Sequence, residues 1–425
     1  MNNSIKFLLI FFLSATQVFL LIGGFNWWVD PYGVYHPKEY KAKSPIWMSK
    51  QLRLAKAYRV QQLKPLGIVI GASTSQLGID PSHLGWDKKV VPRYNLSLPG
   101  ANIYESFRYF QHAHAFNSPK QILIGLDFVS FNTFAPLSDD FNEEHMVVSR
   151  DGNNQDNKLL NFGLTLFSLS AIKASQKKLI YREAGTHLYN GTEFSDENKI
   201  ELRNNRLAIM GSAKNYVSRL LFPPPTHRFC LDDGVEKNSS FQLLMDILET
   251  SKKEGADVRL FIQPPHAYLL EVFKIMEVMD DYNKWHYKLI TLVESVNQKY
   301  PESTQYPLWN FGGYNSVTTE KVPSRENPNQ NMLWYYDVAH FNKSLGDMIQ
   351  DRIFNFNSNG KITPEDFGTQ VSAENFVRYK RSQDVKQTKY ALINKKDIKE
   401  LSNSVNSVKK NIKAFDCDQI TGIKN

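Results

Sequence analysis

Residues Phe7 to Phe25 form an apolar run, FLLIFFLSATQVFLLIGGF, in which only Ser14, Thr16 and Gln17 are polar and no side chain is charged. A helix needs about 20 such residues to cross the hydrocarbon of a bilayer. Lipid offers no partners to backbone amides, so a single spanning segment has to be a helix. Trp27 and Trp28 follow where interfacial aromatics belong. The competing reading is a cleaved signal peptide, whose apolar region is shorter and ends in an A-x-A-like site. Gly23-Gly24-Phe25 matches that poorly, so residues 1–29 are expected to be an uncleaved anchor. Only Lys6 and the amino terminus precede the run, whereas Lys38, Lys41, Lys43 and Lys50 follow it. Counted alone, those charges put the remainder of the chain in the cytoplasm.

That remainder can build a core, because hydrophobic residues make up 42% of the 425-residue chain and aromatics 13%. The net charge of +8 could suit nucleic acid or an anionic membrane surface. Much of the excess lies after Phe354, including Lys395, Lys396, Lys409, Lys410 and Lys413. With no zinc-finger spacing and no dense basic run interleaved with aromatics, nucleic acid is not expected as a partner. Cys230 and Cys417, the only cysteines, could be paired in an oxidising compartment or free in a reducing one.

Short apolar runs alternate with helical patterns beyond the anchor. Leu66 to Ile70, Val90 to Leu98 and Gln121 to Leu126 read as buried strands, with a helix capped by Asn102 between the last two and Glu105 at the capping-box position. Strand-helix-strand with apolar strands argues for a parallel sheet covered on both faces. From about 132 to 236 the pattern weakens to polar loops, one helix candidate near Leu164 to Lys178 and the breaker Pro223-Pro224-Pro225; this is expected to be an inserted cap. The rhythm returns with a helix over Ser239 to Lys253, a strand over Val258 to Gln263, helices over Ala267 to Val278 and Asn283 to Lys299, a short strand at Leu308 to Phe311 and a helix over Asn342 to Phe354. The main domain is thus expected over 30–355, and 356–425 as a polar, basic, peripheral tail.

Chemistry concentrates where strands end. Gly71-Ala72-Ser73 follows the first strand, so Ser73 is expected at the carboxyl edge of the sheet, where open α/β sheets hold ligands. A serine alcohol needs a base and a group that orients the base. Asp337-Val338-Ala339-His340 can supply both if the four residues make one turn. Gly100, ending Ser97-Leu98-Pro99-Gly100, has an N–H able to donate to a developing oxyanion, beside Asn102. Asp127 closes the third strand; ionised, it only accepts hydrogen bonds and would orient its neighbours. His266, after the Val258 to Gln263 strand, is a second edge histidine that could contact substrate or compete as base. Each residue also has a bland reading: Ser73 as a helix cap, Asp337 as a cap with a core histidine, Gly100 as turn punctuation. His112 and His114 share a helix at spacing two and point apart, so no metal site is expected.

Strand-Gly-Ala-Ser at 68–73, the Asn95 to Asn102 stretch, Gly125-Leu126-Asp127 and Asp337-Val338-Ala339-His340-Phe341 together resemble the SGNH hydrolase superfamily. More narrowly the chain resembles membrane-anchored members related to alginate O-acetyltransferases and D-alanyl transfer proteins of bacterial envelopes. The resemblance covers roughly 65 to 130 and 305 to 355. It implies a three-layer α/β/α sandwich, Ser73 as nucleophile, His340 as base, Asp337 as its partner and Gly100 as oxyanion donor. Asp127 stands where many members carry asparagine, and Gly-Ala-Ser replaces their Gly-Asp-Ser. The implied activity is esterase or O-acyltransferase on acyl esters of cell-envelope carbohydrate, without a cofactor. The implied partners are the bilayer, an acylated polymer and a membrane-bound acyl donor protein. Singly anchored members face the periplasm or exterior, against the lysine count. The alternative is an inactive relative that binds glycan or a membrane protein.

Overall fold

The computed structural model describes residues 3–36, 51–155, 158–180, 187–193, 204–231, 239–357, 363–410, 412 and 417. Lys38, Lys41, Lys43, Lys50 and Lys413, which entered the charge count, lie outside them. The apolar run is part of one helix, Asn3–Val29, with a mean hydropathy of 2.3 over its most apolar window, long and apolar enough to cross a membrane.

The remainder is a mixed α/β structure around one six-stranded sheet. Its strands are β1 (Gly67–Ile70), β2 (Arg93–Asn95), β3 (Gln121–Leu126), β4 (Asp257–Ile262), β5 (Leu308–Asn310) and β6 (Thr369–Gln370), in the order β2-β1-β3-β4-β5-β6. All neighbours are parallel except β6, which runs antiparallel to β5. Register aligns Ile70 of β1 with Ile124 of β3, and Leu126 with Ile262 of β4, so the carboxyl ends of these strands form one edge. The expected Val90 to Leu98 strand shortens to Arg93–Asn95. Pro92 cannot donate to a ladder, and beyond Asn95 only isolated bonds continue towards β1, from Leu96 to the Val69 carbonyl and from Leu98 to the Gly71 carbonyl.

Alternate strand residues face opposite ways, and both sets are buried. Ile68, Ile70, Ile122, Ile124, Val258 and Leu260 join a large cluster with Phe107 and Phe110, Leu244 and Ile247, and Trp285 and Leu289, from the helices Ile103–Phe116, Ser240–Lys253 and Met279–Lys299. Val69, Leu123 and Phe261 join a second cluster with Phe341, Leu345 and Ile349, the last two from the helix Lys343–Phe354. Each such aliphatic side chain contributes about 1.5–3 kcal/mol on burial. Several helices start where the capping residues say they should: Asn102, Ser239 and Asn342 each accept a backbone N–H three residues on.

Two regions differ from expectation. The segment 132–236 holds two helices in hairpin, Lys158–Phe167 and Leu169–Ile180, where one was expected, and a further helix Asn205–Tyr216 that runs into a π-turn at Val217–Leu221. The chain after Phe356 is not a peripheral tail. It supplies β6 and the helices Ala373–Ile393 and Lys395–Lys409. Leu401 and Val405 are fully buried in the large cluster, and Arg206 pairs with Asp397 (2.8 Å) and Glu400 (2.5 Å). Ile398, Leu401, Val405 and Val408 recur at helical spacing, a stripe diluted by the polar residues between them. Cys230 and Cys417 form a disulfide with Cα atoms 5.8 Å apart.

Candidate active site

Gly71 ends β1 and the chain turns directly into the short helix Ser73–Gly78. The turn is crowded. A Cβ on Gly71 would press on Ser75, and one on Gly125 of β3 would meet Ser75 and Gln263, so both positions require glycine. Ser75 Oγ accepts a hydrogen bond from Gln263 Nε2 at 2.5 Å, which ties the turn to the end of β4. Asn95 of β2 donates from its side chain to the carbonyls of Ser75 (2.9 Å) and Ile79 (2.7 Å). Ser73 is thus held from three strands.

The second half of the site is a tight turn closed by pairing of Tyr335 with Phe341. Asp337 Oδ1 accepts the N–H groups of Ala339 (2.9 Å) and His340 (2.8 Å), and Oδ2 accepts from His340 Nδ1 at 2.7 Å. With Nδ1 carrying the proton, Nε2 is free to accept, and it lies 2.7 Å from Ser73 Oγ. Ser73, His340 and Asp337 therefore make one continuous hydrogen-bonded chain, with Ser73 and His340 267 residues apart in sequence. Burial disfavours the His340 imidazolium, but Asp337, with Asp127 and Glu193 further off, outweighs it and raises the pKa above the usual imidazole value. Burial likewise opposes the Asp337 charge, and His340 together with the two backbone N–H groups overcomes it and lowers that pKa.

A cavity of about 460 Å³ opens over these groups, lined by Ser73, Gly100, Asn102, Asp127 and His340 on the sheet side. That lies within the range of small-ligand sites, about 300–1,000 Å³. Gly100 has φ of +64° and nothing within reach of a Cβ, so its backbone faces open space. Asn102 lines the wall but spends its side chain on the Glu105 N–H and the Ala135 carbonyl. Asp127 is the unusual member. Desolvation pushes its pKa up to about 7, against the pull of nearby His340, and Oδ2 is sealed from solvent without a hydrogen-bond partner. Half-protonated near neutrality, such a carboxyl can donate as well as accept.

His266 is not part of this wall. Wholly buried, it caps the helix Ala267–Ile275 through Nδ1, which accepts the Tyr268 N–H, while Nε2 donates to the Glu320 carbonyl at 2.7 Å. Burial drives its pKa down to about 4. Its backbone N–H donates to the Val338 carbonyl at 2.9 Å, so it braces the Asp337–His340 turn rather than competing as base.

Residues with no local sequence signal complete the site. Tyr216, Arg219, Leu220 and Pro223 of the inserted segment form the opposite wall. Buried Arg53 bonds Glu105 (2.7 Å) and the Pro99 carbonyl (2.8 Å) beside Gly100, and Glu105 also accepts the Ser138 N–H (2.8 Å). Lys56, fully buried, donates to the carbonyls of Asn95 (3.0 Å), Ser97 (2.6 Å) and Gly191 (2.9 Å). Among the described residues no group of three His, Cys, Asp or Glu side chains is placed to hold a metal. Compared with protein-family models, curated proteins and solved structures, the chain matches none.

Proposed function

We propose that this chain is a membrane-anchored serine esterase or O-acyltransferase of the SGNH type, with a three-layer α/β/α domain, acting on acyl esters of cell-envelope carbohydrate. The observation that carries the reading is the Asp337–His340–Ser73 chain of 2.7 Å hydrogen bonds at the rim of a cavity. In this reading Ser73 Oγ attacks the acyl carbon as its proton passes to His340 Nε2. The ester C–O bond breaks, and His340 returns the proton to the leaving alkoxide. Water or a sugar hydroxyl then attacks the acyl-serine, giving its proton to His340; the acyl–Oγ bond breaks, and His340 returns that proton to Ser73 Oγ. The Gly100 backbone N–H is the candidate oxyanion donor.

Anchorage is supported by the integration of Asn3–Val29 with the folded chain: Asn26 is buried against later helices, which a cleaved signal peptide would not be. The Cys230–Cys417 disulfide favours an oxidising compartment, hence a domain on the periplasmic or extracellular side. A reporter fused after Asn425 tests that orientation.

The decisive assay compares parent and Ser73→Ala protein on a small aryl acetate, together with labelling by a serine-directed fluorophosphonate. Loss of both turnover and label in the variant is the expected result; equal turnover rejects the mechanism. Asp127 favours a second reading, an inactive binder of glycan or a membrane partner, because an ionised carboxylate in the cavity repels an oxyanion. Absence of labelling in a folded parent would select it.

A further inference from the structure

The helical hairpin Lys158–Phe167 and Leu169–Ile180 takes no part in the cavity just described. It packs along the last third of Asn3–Val29. Phe167 lies against Phe19 with ring centroids 5.2 Å apart, and it fills the space where a Cβ on Gly23 would sit. Asn26, wholly buried, donates to the Leu166 carbonyl at 2.5 Å and accepts from Ser175 Oγ at 2.7 Å. Lys178 Nζ donates to the Asp30 carbonyl at 2.7 Å. Three polar contacts and one ring contact therefore fix the axial register of the hairpin on the apolar helix.

That register has a consequence for depth. The 19 residues Phe7 to Phe25 are about 28 Å long at a rise of about 1.5 Å per residue, close to the ~30 Å of bilayer hydrocarbon. Phe19 and Gly23 lie inside that stretch. Any membrane that takes up the helix must also receive Phe167, which touches both. The hairpin surface fits such a place. Leu169, at the tip of the hairpin, is 75% exposed, an apolar load with no protein cover among the described residues. Lys173 and Lys177 are exposed on the same helix, the pairing of apolar and basic residues that suits the boundary of acyl chains and anionic headgroups. Asn26 fits as well: the hairpin satisfies an amide that would otherwise meet lipid unpaired.

We propose that the hairpin Lys158–Ile180 is a second membrane-docking element, entering one leaflet beside the anchor without crossing it, with its apolar tip at the acyl boundary and Lys173 and Lys177 at the headgroups. Two attachments in place of one fix the height and tilt of the domain, so its cavity works at a set distance from the bilayer. This inference rests on the reading of Asn3–Val29 as an anchor, and its test separates the two.

Full-length protein is reconstituted in phosphatidylcholine–phosphatidylglycerol vesicles with an environment-sensitive fluorophore on single variants Phe12→Cys, Leu169→Cys and Leu392→Cys. Leu392, 74% exposed on Ala373–Ile393, is the aqueous control. Docking predicts that the probe at 169 is quenched by shallow doxyl lipids several-fold more than the probe at 392, and is shielded from iodide. If the probe at 12 is quenched by deep doxyl lipid while that at 169 is as open to iodide as that at 392, docking is overturned and the anchor stands. An unquenched probe at 12 overturns both. Shielding at 169 from iodide without quenching by lipid assigns the face to a second copy of the chain and also overturns docking.

Discussion

Gly78 and Gly346 hold two backbones in direct contact: a Cβ on Gly346 would overlap the Gly78 carbonyl group, and a Cβ on Gly78 would overlap the Phe341 ring. Gly78 ends the helix that begins with Ser73, and Gly346 lies in the first turns of the helix that follows His340. The approach of Ser73 and His340 is therefore set by two missing side chains several residues away from either.

Gly346→Ala tests this. The added methyl forces the two helices apart, at a cost of about 1–3 kcal/mol for an overpacked contact. A shift of about 1 Å between reacting groups can lower turnover by about 100-fold. Thermal unfolding and aryl acetate kinetics on one sample should show a moderate loss of stability with a disproportionate loss of kcat. Unchanged kcat in a destabilised protein would show that the glycine contact does not set the Ser73–His340 distance.

The parts of the site that could be read from sequence are those next to strand ends. Ser73 and Asp127 each follow an apolar run that marks a buried strand, and parallel strands deliver their carboxyl ends to one edge. Asp337 and His340 come from a loop, and a spacing of three brought their side chains together through an Asp-centred turn. His266 also follows a strand, β4, but its position could not tell whether the ring faces the cavity or folds back to cap its own helix. Arg53, Lys56, Tyr216 and Arg219 left no trace, because what they do is defined by partners 39 to 135 residues away or by a cavity wall, with no local period. The helix Lys395–Lys409 was masked differently: its apolar stripe is real, but lysine-rich composition outweighed it.

Asp127→Asn should change the pH profile in two ways. The Asp127 charge raises the His340 pKa, so removing it lets His340 lose its proton at lower pH, and the acid limb of kcat/KM moves down. Asp127 itself titrates near 7, so the parent loses a potential donor as pH rises through that value and acquires a charge that opposes the oxyanion. An asparagine amide donates at every pH. The variant should therefore hold its activity above pH 7 where the parent declines. A profile unchanged at both ends would place Asp127 outside the reaction.

Lys56→Met asks what the buried amine does. The substitution keeps length and apolar stem but leaves the carbonyls of Asn95, Ser97 and Gly191 without their shared donor. Each buried group left unpaired costs about 1–3 kcal/mol. Chemical denaturation should register a loss of several kcal/mol. The segment 187–193, which Lys56 fastens to the chain around β2, should gain amide exchange. Stability equal to the parent would mean that the three carbonyls find other partners.

Asp337→Asn probes the orientation of the base. An amide at this position can accept the His340 Nδ1 proton or, rotated, donate to Nδ1, and the rotated form drives the proton onto Nε2. Nε2 then cannot accept from Ser73. The carbonyl oxygen of the asparagine can still take the N–H groups of Ala339 and His340, so the turn should survive. Turnover is expected to fall about 10³–10⁴-fold with little change in folding. The apparent His340 pKa should also fall, because Asp337 is the largest influence raising it. Fluorophosphonate labelling of Ser73 should slow in parallel with turnover, since both need the serine proton removed. A variant that labels at the parental rate would mean that His340 draws no help from Asp337, and the hydrogen-bonded chain would then be architecture alone.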